Sequence, residues 1–468
     1  MTTEDREEER RLFEAIVEAP DDDAPRLVYA DWLQSRGDPR GELIHLQCQL
    51  AAVPDDDRRR NIRIAENKLL AAHGDGWTRP LHALLPPLAN VFMKYGFDFV
   101  RGFVEEATIT LQCLPHLEAL FAAAPLLRRL KITGNGFIET NPQRPRLDGG
   151  LAAPSLARLR ALELALPGAG NQLARDVAEA THLRGLRELR ITGSVWGDGA
   201  AFFAGDGGGL VLDDEGAQIL ATAPHLCSLE KLDVEANRIT TAGVHAIANA
   251  PWRLRELVLS HNALDPTHLA AALAGPALAE LEVLAVVQTT FDPKQIAALV
   301  ASPNLANLRE LDLERCHLGV PGITALCKAF ALPALRRLRL ERNSICDAGA
   351  IAIAACPAFA QLTSFEAGHN RIGQKGATAL ATTPHFASLE RLTLNEPRWK
   401  PEVTALFAES PVLANAKIYL GGRLVGRKKT KPAAAYVVAA AVDPAATSRA
   451  AEAKPAKPRT RKPTRGTD

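Results

Sequence analysis

Residues 254–262 read LRELVLSHN, residues 308–316 read LRELDLERC and residues 335–343 read LRRLRLERN. Each opens with the pattern LxxLxL, filled here by Leu254/Leu257/Leu259, Leu308/Leu311/Leu313 and Leu335/Leu338/Leu340. Self-comparison of the chain finds the same pattern at Leu127, Leu159, Leu186, Leu229, Leu281 and Leu389, with a degenerate copy at Leu362/Phe365/Ala367. From Leu254 onward the copies start 27 residues apart. Leu159 to Leu186 is again 27, whereas Leu186 to Leu229 is 43, one period plus an insertion of 16. A period of this length marks a solenoid, in which one short supersecondary unit is stacked many times.

The unit has a physical grammar. Its xLxL stretch alternates as a half-buried strand does. Eight residues after the first Leu stand Asn135, Asn237, Asn262, Asn343 and Asn370, with Cys316 once in the same slot. A small polar side chain there can bond backbone groups left unpaired where the strand turns away. A helical stretch follows, as in DPKQIAALVA with Ile296, Leu299 and Val300 on one face. Pro251, Pro276, Pro303, Pro357, Pro384 and Pro411 come 22 residues after the repeat start and are expected to stop the helices.

LxxLxLxxN/CxL at this period resembles the leucine-rich repeats of the ribonuclease-inhibitor-like class over roughly residues 100 to 420. The resemblance implies an α/β solenoid with a parallel sheet on the concave side and helices on the convex side, each coil held by its neighbours. The copies at Leu159, Leu186, Leu281 and Leu389 carry Pro167, Ser194, Thr289 and Pro397 in place of Asn, so the ladder is expected to be irregular there.

The totals agree with thin aliphatic layers. Of 468 residues, 47% are apolar and only 5% aromatic, so Leu, Ala, Ile and Val must build the core. Net charge is +1, which by itself implies no polyanionic partner. Cys48, Cys113, Cys227, Cys316, Cys327, Cys346 and Cys356 form no CxxC pair and read as reduced thiols. No apolar run is long enough to span a bilayer, and MTTEDREEERR lacks the apolar segment of a secretory signal; a cytoplasmic protein is expected.

Residues 1–75 have a helical period only, and a small all-α domain is expected there. Asp22 or Asp23 is placed to cap a second helix, Asp38 a third, and a fourth runs through Asn61 to Ala72. PDDDAPRLVYADWLQSRGDPRGELIHLQCQL (Pro20 to Leu50) resembles the bacterial repeat-companion domain, a module found beside repeat arrays, to which no biochemical activity is attached. A connector over 76–98 then leads to a solenoid over 99–422, with an insertion at 195–213, a first strand in Gly102 to Ile109 and a last one in Leu413 to Leu420. Residues 423–468 hold 12 basic and 3 acidic residues, net +9, which leaves the rest of the chain near −8. Repeated prolines and low hydrophobicity predict a disordered basic tail.

No phosphate-loop, zinc-protease or nucleophile-elbow motif is present, and an enzyme or a small-molecule cofactor is not expected. GDGGG (Gly205 to Gly209) lies in the insertion without the lysine of a phosphate cradle. Asp21, Asp22 and Asp23 read more simply as capping acids than as a cation site. Trp32 reads as core, with Asp31 making an internal hydrogen bond.

The informative surface is the concave sheet. Positions 5 and 7 of each repeat point outward and stack about 5 Å apart from coil to coil. Most are charged, but Val258, Ala285 and Val287 are not, and His261, Gln288, Asp312, Glu314 and Arg339 surround them. An apolar centre with a polar rim is how a protein-binding patch is built. A protein partner there is the leading expectation, with no membrane contact. The alternative is nucleic acid held without sequence preference by tail cations such as Lys454, Lys457, Arg459, Arg461, Lys462 and Arg465. A tail that serves solubility alone is the simpler reading. No aromatic residue follows Tyr436, so base stacking is not indicated.

Overall fold

The computed structural model describes residues 2–53, 57–88, 94–134, 147, 149–166, 168–193, 211–395 and 399–425. Four helices come first: α1 (Thr3–Glu18), α2 (Asp23–Ser35), α3 (Pro39–Ala52) and α4 (Asp57–His82). Thr2 and Asp5 form a reciprocal capping box on α1. Asp22 caps α2 through Ala24 N at 2.9 Å, and Asp38 caps α3 through Arg40 N at 2.8 Å, with Pro39 in its first turn. The fourth helix is ten residues longer at its C-terminal end than its period indicates, and so crosses the boundary expected at residue 75. Gly74, Gly76 and Pro80 lie in that extension. Packing overrides them: Trp77 meets Phe99 edge-on at 5.7 Å, and Leu81 is buried in the solenoid core.

Among the described residues a single sheet of 14 strands follows, in strict chain order. Its strands are β1 (Gly96–Val100), β2 (Phe103–Thr110), β3 (Arg129–Thr133), β4 (Ala161–Ala165), β5 (Glu188–Ile191), β6 (Lys231–Asp233) and β7 (Glu256–Val258). Then come β8 (Val283–Ala285), β9 (Glu310–Asp312), β10 (Arg337–Arg339), β11 (Ser364–Glu366), β12 (Arg391–Leu394), β13 (Lys417–Leu420) and β14 (Arg423–Leu424). Every neighbouring pair from β2 to β13 is parallel, and the two end pairs are antiparallel. The second Leu of each pattern pairs with its counterpart in the next coil, giving the column Leu130, Leu162, Leu189, Leu232, Leu257, Leu284, Leu311, Leu338, Phe365 and Leu392. All ten are at most 2% exposed, so even the degenerate Phe365 keeps its place in the core.

The ladder is regular at β4, β5, β8 and β12, against the irregularity expected from the missing Asn. Leucine burial and backbone pairing set the register, and the Asn is a stitch added to it. Asn237 Nδ2 donates to Ile191 O in the preceding coil at 2.8 Å, and Asn343 and Asn370 do the same to Leu313 O and Leu340 O at 2.7 and 2.8 Å. Cys316 replaces the stitch with a thiol donating to Val286 O at 3.3 Å. In the coil before it, Thr289 is buried and its hydroxyl has no partner among the described residues.

The convex side carries α5 (Leu117–Ala123), α6 (Asn171–Glu179), α7 (Asp214–Ala221), α8 (Thr241–Ala248), α9 (Pro266–Ala272) and α10 (Pro293–Val300). It continues with α11 (Gly319–Ala329), α12 (Cys346–Ala354), α13 (Gln374–Thr382) and α14 (Pro401–Glu409). The prolines are not the last helical residues. Pro276, Pro303, Pro357 and Pro384 each open a short 3-10 turn beyond the helix, where the missing N–H is not needed. Two residues assigned to the insertion belong to the regular coil. Leu212 is buried in the slot of Ile239 one repeat later, and Asp213 caps α7 through Glu215 N at 2.9 Å. GDGGG itself lies outside the described residues.

The helical module closes the first coil. Arg26 is fully buried and donates to Glu105 Oε1 at 2.6 Å and Pro20 O at 2.8 Å. Gln47 donates to Phe99 O at 2.8 Å and accepts from Gly102 N at 2.7 Å. Phe103 packs on Phe13 and Tyr29 at 5.7 and 5.9 Å. Gly102 has φ +87°, and a Cβ there would lie 2.0 Å from Ile44, so only glycine lets the module approach. At the far end, Gly421 and Gly422 (φ +56° and +75°) turn the chain from β13 into β14, which takes in Arg423 and Leu424 from the expected tail. No helix among the described residues is long and apolar enough to cross a membrane.

Candidate partner-binding surface

Along each strand position 4 points into the core, so positions 3 and 5 both face outward on the concave side, and position 7 follows them. Position 3 was not among the lanes read from the sequence. It adds Val283 beside Ala285, and the apolar patch becomes Val258, Val283, Ala285 and Val287, all half-buried. Val258 pairs with Ala285, and Val287 N donates to the Ser260 hydroxyl at 3.2 Å.

With three lanes in view, the charge is segregated. The twelve outward positions of β6 to β9 hold six carboxylates (Asp233, Glu235, Glu256, Glu310, Asp312 and Glu314) against one lysine, Lys231, a net of −5. The nine positions of β3 to β5 hold three cations and two carboxylates, net +1, and those of β10 to β12 do likewise. The centre of the concave face is thus both its apolar part and its acidic part.

Two carboxylates bracket the patch with the same geometry. Asp233 Oδ1 accepts from Glu235 N at 3.0 Å, and its Oδ2 meets Arg190 Nε at 3.0 Å. Asp312 Oδ1 accepts from Glu314 N at 3.0 Å, and its Oδ2 meets Arg339 Nη1 at 3.0 Å. Both arginines lie on the side away from the patch. Burial pushes the Asp233 carboxyl up to about 6 despite Arg190, and it raises Asp312 as well. Arg339 also reaches Glu366 at 3.5 Å and Glu341 at 4.0 Å. Burial disfavours its charge, but Asp312, Glu366 and Glu341 outweigh that and raise it.

Of the other residues singled out in the sequence, His261 lies 3.8 Å from Glu235, and Glu314 is 3.5 Å from Arg315 Nε. His261 and Gln288 have φ of +58° and +64°, and the same turn position is left-handed at Arg315, Arg342 and His369. These residues are held at the rim by the backbone of the repeat. Val258, Ala285, Val287, Asp312, Glu314 and Arg339 are brought onto one surface. Lys454, Lys457, Arg459, Arg461, Lys462 and Arg465 lie outside the described residues.

The aspartates of the helical module face different partners. Asp21 pairs with Arg128, Asp22 caps α2 and Asp23 meets Arg101 at 3.1 Å. Asp31 accepts no buried bond; it is exposed and lies 3.0 Å from His45. A hollow of about 400 Å³ on the concave side of β1 to β7 is lined by paired charges, including Arg129–Glu188 at 2.6 Å and Lys131–Glu163 at 2.7 Å.

A leucine-rich-repeat family profile matches residues 225–248 and 304–327, the coils that carry Asp233 and Asp312. Among solved structures the chain is similar to an internalin from Listeria monocytogenes, at 14% identity over 67% of this chain and 86% of that one, with a TM-score of 0.33. No curated protein matches the sequence. The matched coils, and the others that share their strand register and convex helix, are leucine-rich repeats.

Proposed function

We propose that the protein is a non-enzymatic interaction scaffold that binds a protein partner on the centre of its concave surface. One observation carries this reading: Val258, Val283, Ala285 and Val287 form an uncharged patch on a face whose other coils are charged. Aliphatic groups left half-exposed between charged neighbours gain free energy when a partner covers them. Leucine-rich repeats suit such a role, because their outward residues are free of duties in the core. Replacing Val258 and Val287 together by Asp is expected to abolish capture of the partner in affinity purification from cell lysate. The melting temperature should stay within about 2 °C, as expected of surface changes. An unaltered capture profile would remove the concave site.

A second reading rests on the sequence of residues 423–468 alone, with its net charge of +9. Cations in such a segment bind phosphates without sequence preference, and the binding weakens steeply with salt. In a gel-shift titration at two salt concentrations, the full chain should bind DNA and a chain ending at residue 425 should not. Equal binding by both would discard this reading.

A further inference from the structure

The repeat places the apolar patch between two acidic walls, and that arrangement specifies the chemistry of what covers it. In the position 5 lane the order from β6 to β9 is Asp233, Val258, Ala285, Asp312; in the position 7 lane it is Glu235, Ser260, Val287, Glu314. The two walls are three strand spacings apart, about 14 Å. Four residues of extended chain cover that distance at about 3.3 Å each. Across both lanes no cation lies between the walls. Arg190 and Arg339 approach Asp233 and Asp312 from the outside. Glu235 and Glu314 are the more exposed members of the walls and carry only longer contacts, to Arg190 and His261 at 3.5 and 3.8 Å and to Arg315 and Arg342 at 3.5 and 3.8 Å.

We propose that the concave centre docks an extended cationic–apolar segment of the partner protein, with an aliphatic side chain over Val258, Ala285 and Val287 and a Lys or Arg on each side reaching the Asp233/Glu235 and Asp312/Glu314 walls. This rests on the concave-face reading above and adds the class of ligand to it. Charge complementarity sets the choice. A segment rich in Asp or Glu meets a surface of net −5, and a polyphosphate backbone meets the same repulsion. An uncharged apolar segment covers the valines but leaves six carboxylates to be partly desolvated without new partners.

The test is selection from a randomised library of twelve-residue peptides displayed on phage, against the immobilised full-length protein. Enriched sequences should carry an aliphatic residue between Lys or Arg residues about four positions apart. A synthetic peptide of that sequence should bind at least about tenfold more weakly to the Asp233→Asn/Asp312→Asn variant, or to Glu235→Gln/Glu314→Gln should the first not fold. It should also weaken at least about tenfold between 50 and 500 mM salt. Enriched peptides without cations that are lost on Val258→Asp/Val287→Asp would overturn this inference and leave the concave-face reading standing. Cationic–apolar peptides that still bind the Val258→Asp/Val287→Asp variant would remove the concave site itself. Enrichment of acidic peptides alone, or of none, would overturn the proposal for the segment.

Discussion

Asp233 shows how a single residue reports on its surroundings. It lies beside Arg190, yet burial and the nearby Glu235 and Glu163 hold its carboxyl up to about 6. A carboxyl raised in the folded state binds a proton more readily there than in the unfolded chain. It therefore costs stability above about pH 6 and stops doing so as the pH falls toward 4. Asp233→Asn should accordingly raise stability at pH 7.5 by on the order of 2 kcal/mol and have almost no effect near pH 4, read by urea unfolding at the two pH values. A gain of equal size at both would mean that burial is not its cause. The sequence could not supply this, because Asp233 reads there as one more charged residue in a mixed lane. Val283 was missed for a different reason: position 3 stands outside the strand core of LxLxx, and only the alternation observed in β8 turns it to the concave side. Cys316 was legible in full, since a small donor in the Asn slot has one evident task and performs it on Val286 O.

At the scale of elements, periodicity locates the strands β3 to β12, because leucine spacing is itself the cause of the register, whereas β14 falls in the expected tail. Boundaries were harder where two causes compete. In α4, Gly74, Gly76 and Pro80 argue locally for an end, but Trp77, Leu81 and Leu85 find burial against the solenoid and carry the helix on. The insertion expected at 195–213 runs two residues too far for a similar reason. Val211 to Asp213 follow a glycine-rich stretch, and only the 27-residue comparison with Ile239 and Thr240 shows Leu212 and Asp213 at coil positions. Asp213 is a working cap: besides Glu215 N it accepts from Asn171 Nδ2 at 2.7 Å, tying α7 to α6. Asp213→Ala should cost about 1–2 kcal/mol in chemical unfolding, as the loss of a helix cap does. No measurable change would return Asp213 to the insertion.

For the molecule as a whole, the helical module and the array form one folded unit, joined through a buried ion pair whose members lie 79 residues apart. That pairing was invisible in the sequence, where Arg26 and Glu105 are two charges among 109. Arg26→Ala leaves Glu105 buried, with Arg101 at 3.6 Å as its remaining cation, and should destabilise the protein by about 3 kcal/mol in thermal or urea unfolding. Replacing both members by Met and Leu should recover most of the loss, since an apolar pair needs no solvation. Failure of that recovery would mean the guanidinium's bonds to Pro20 and Arg101 carbonyls matter more than the charge. The alternation of the strands has a consequence of its own. Residues at positions 4 and 6 fill the core and those at 3, 5 and 7 face outward, so the two sets interleave along the chain, with Asp233, Ser260 and Asp312 bracing the backbone beside them as well. On the reading proposed above, the three outward positions of a coil can change one at a time while the two leucine positions keep the register.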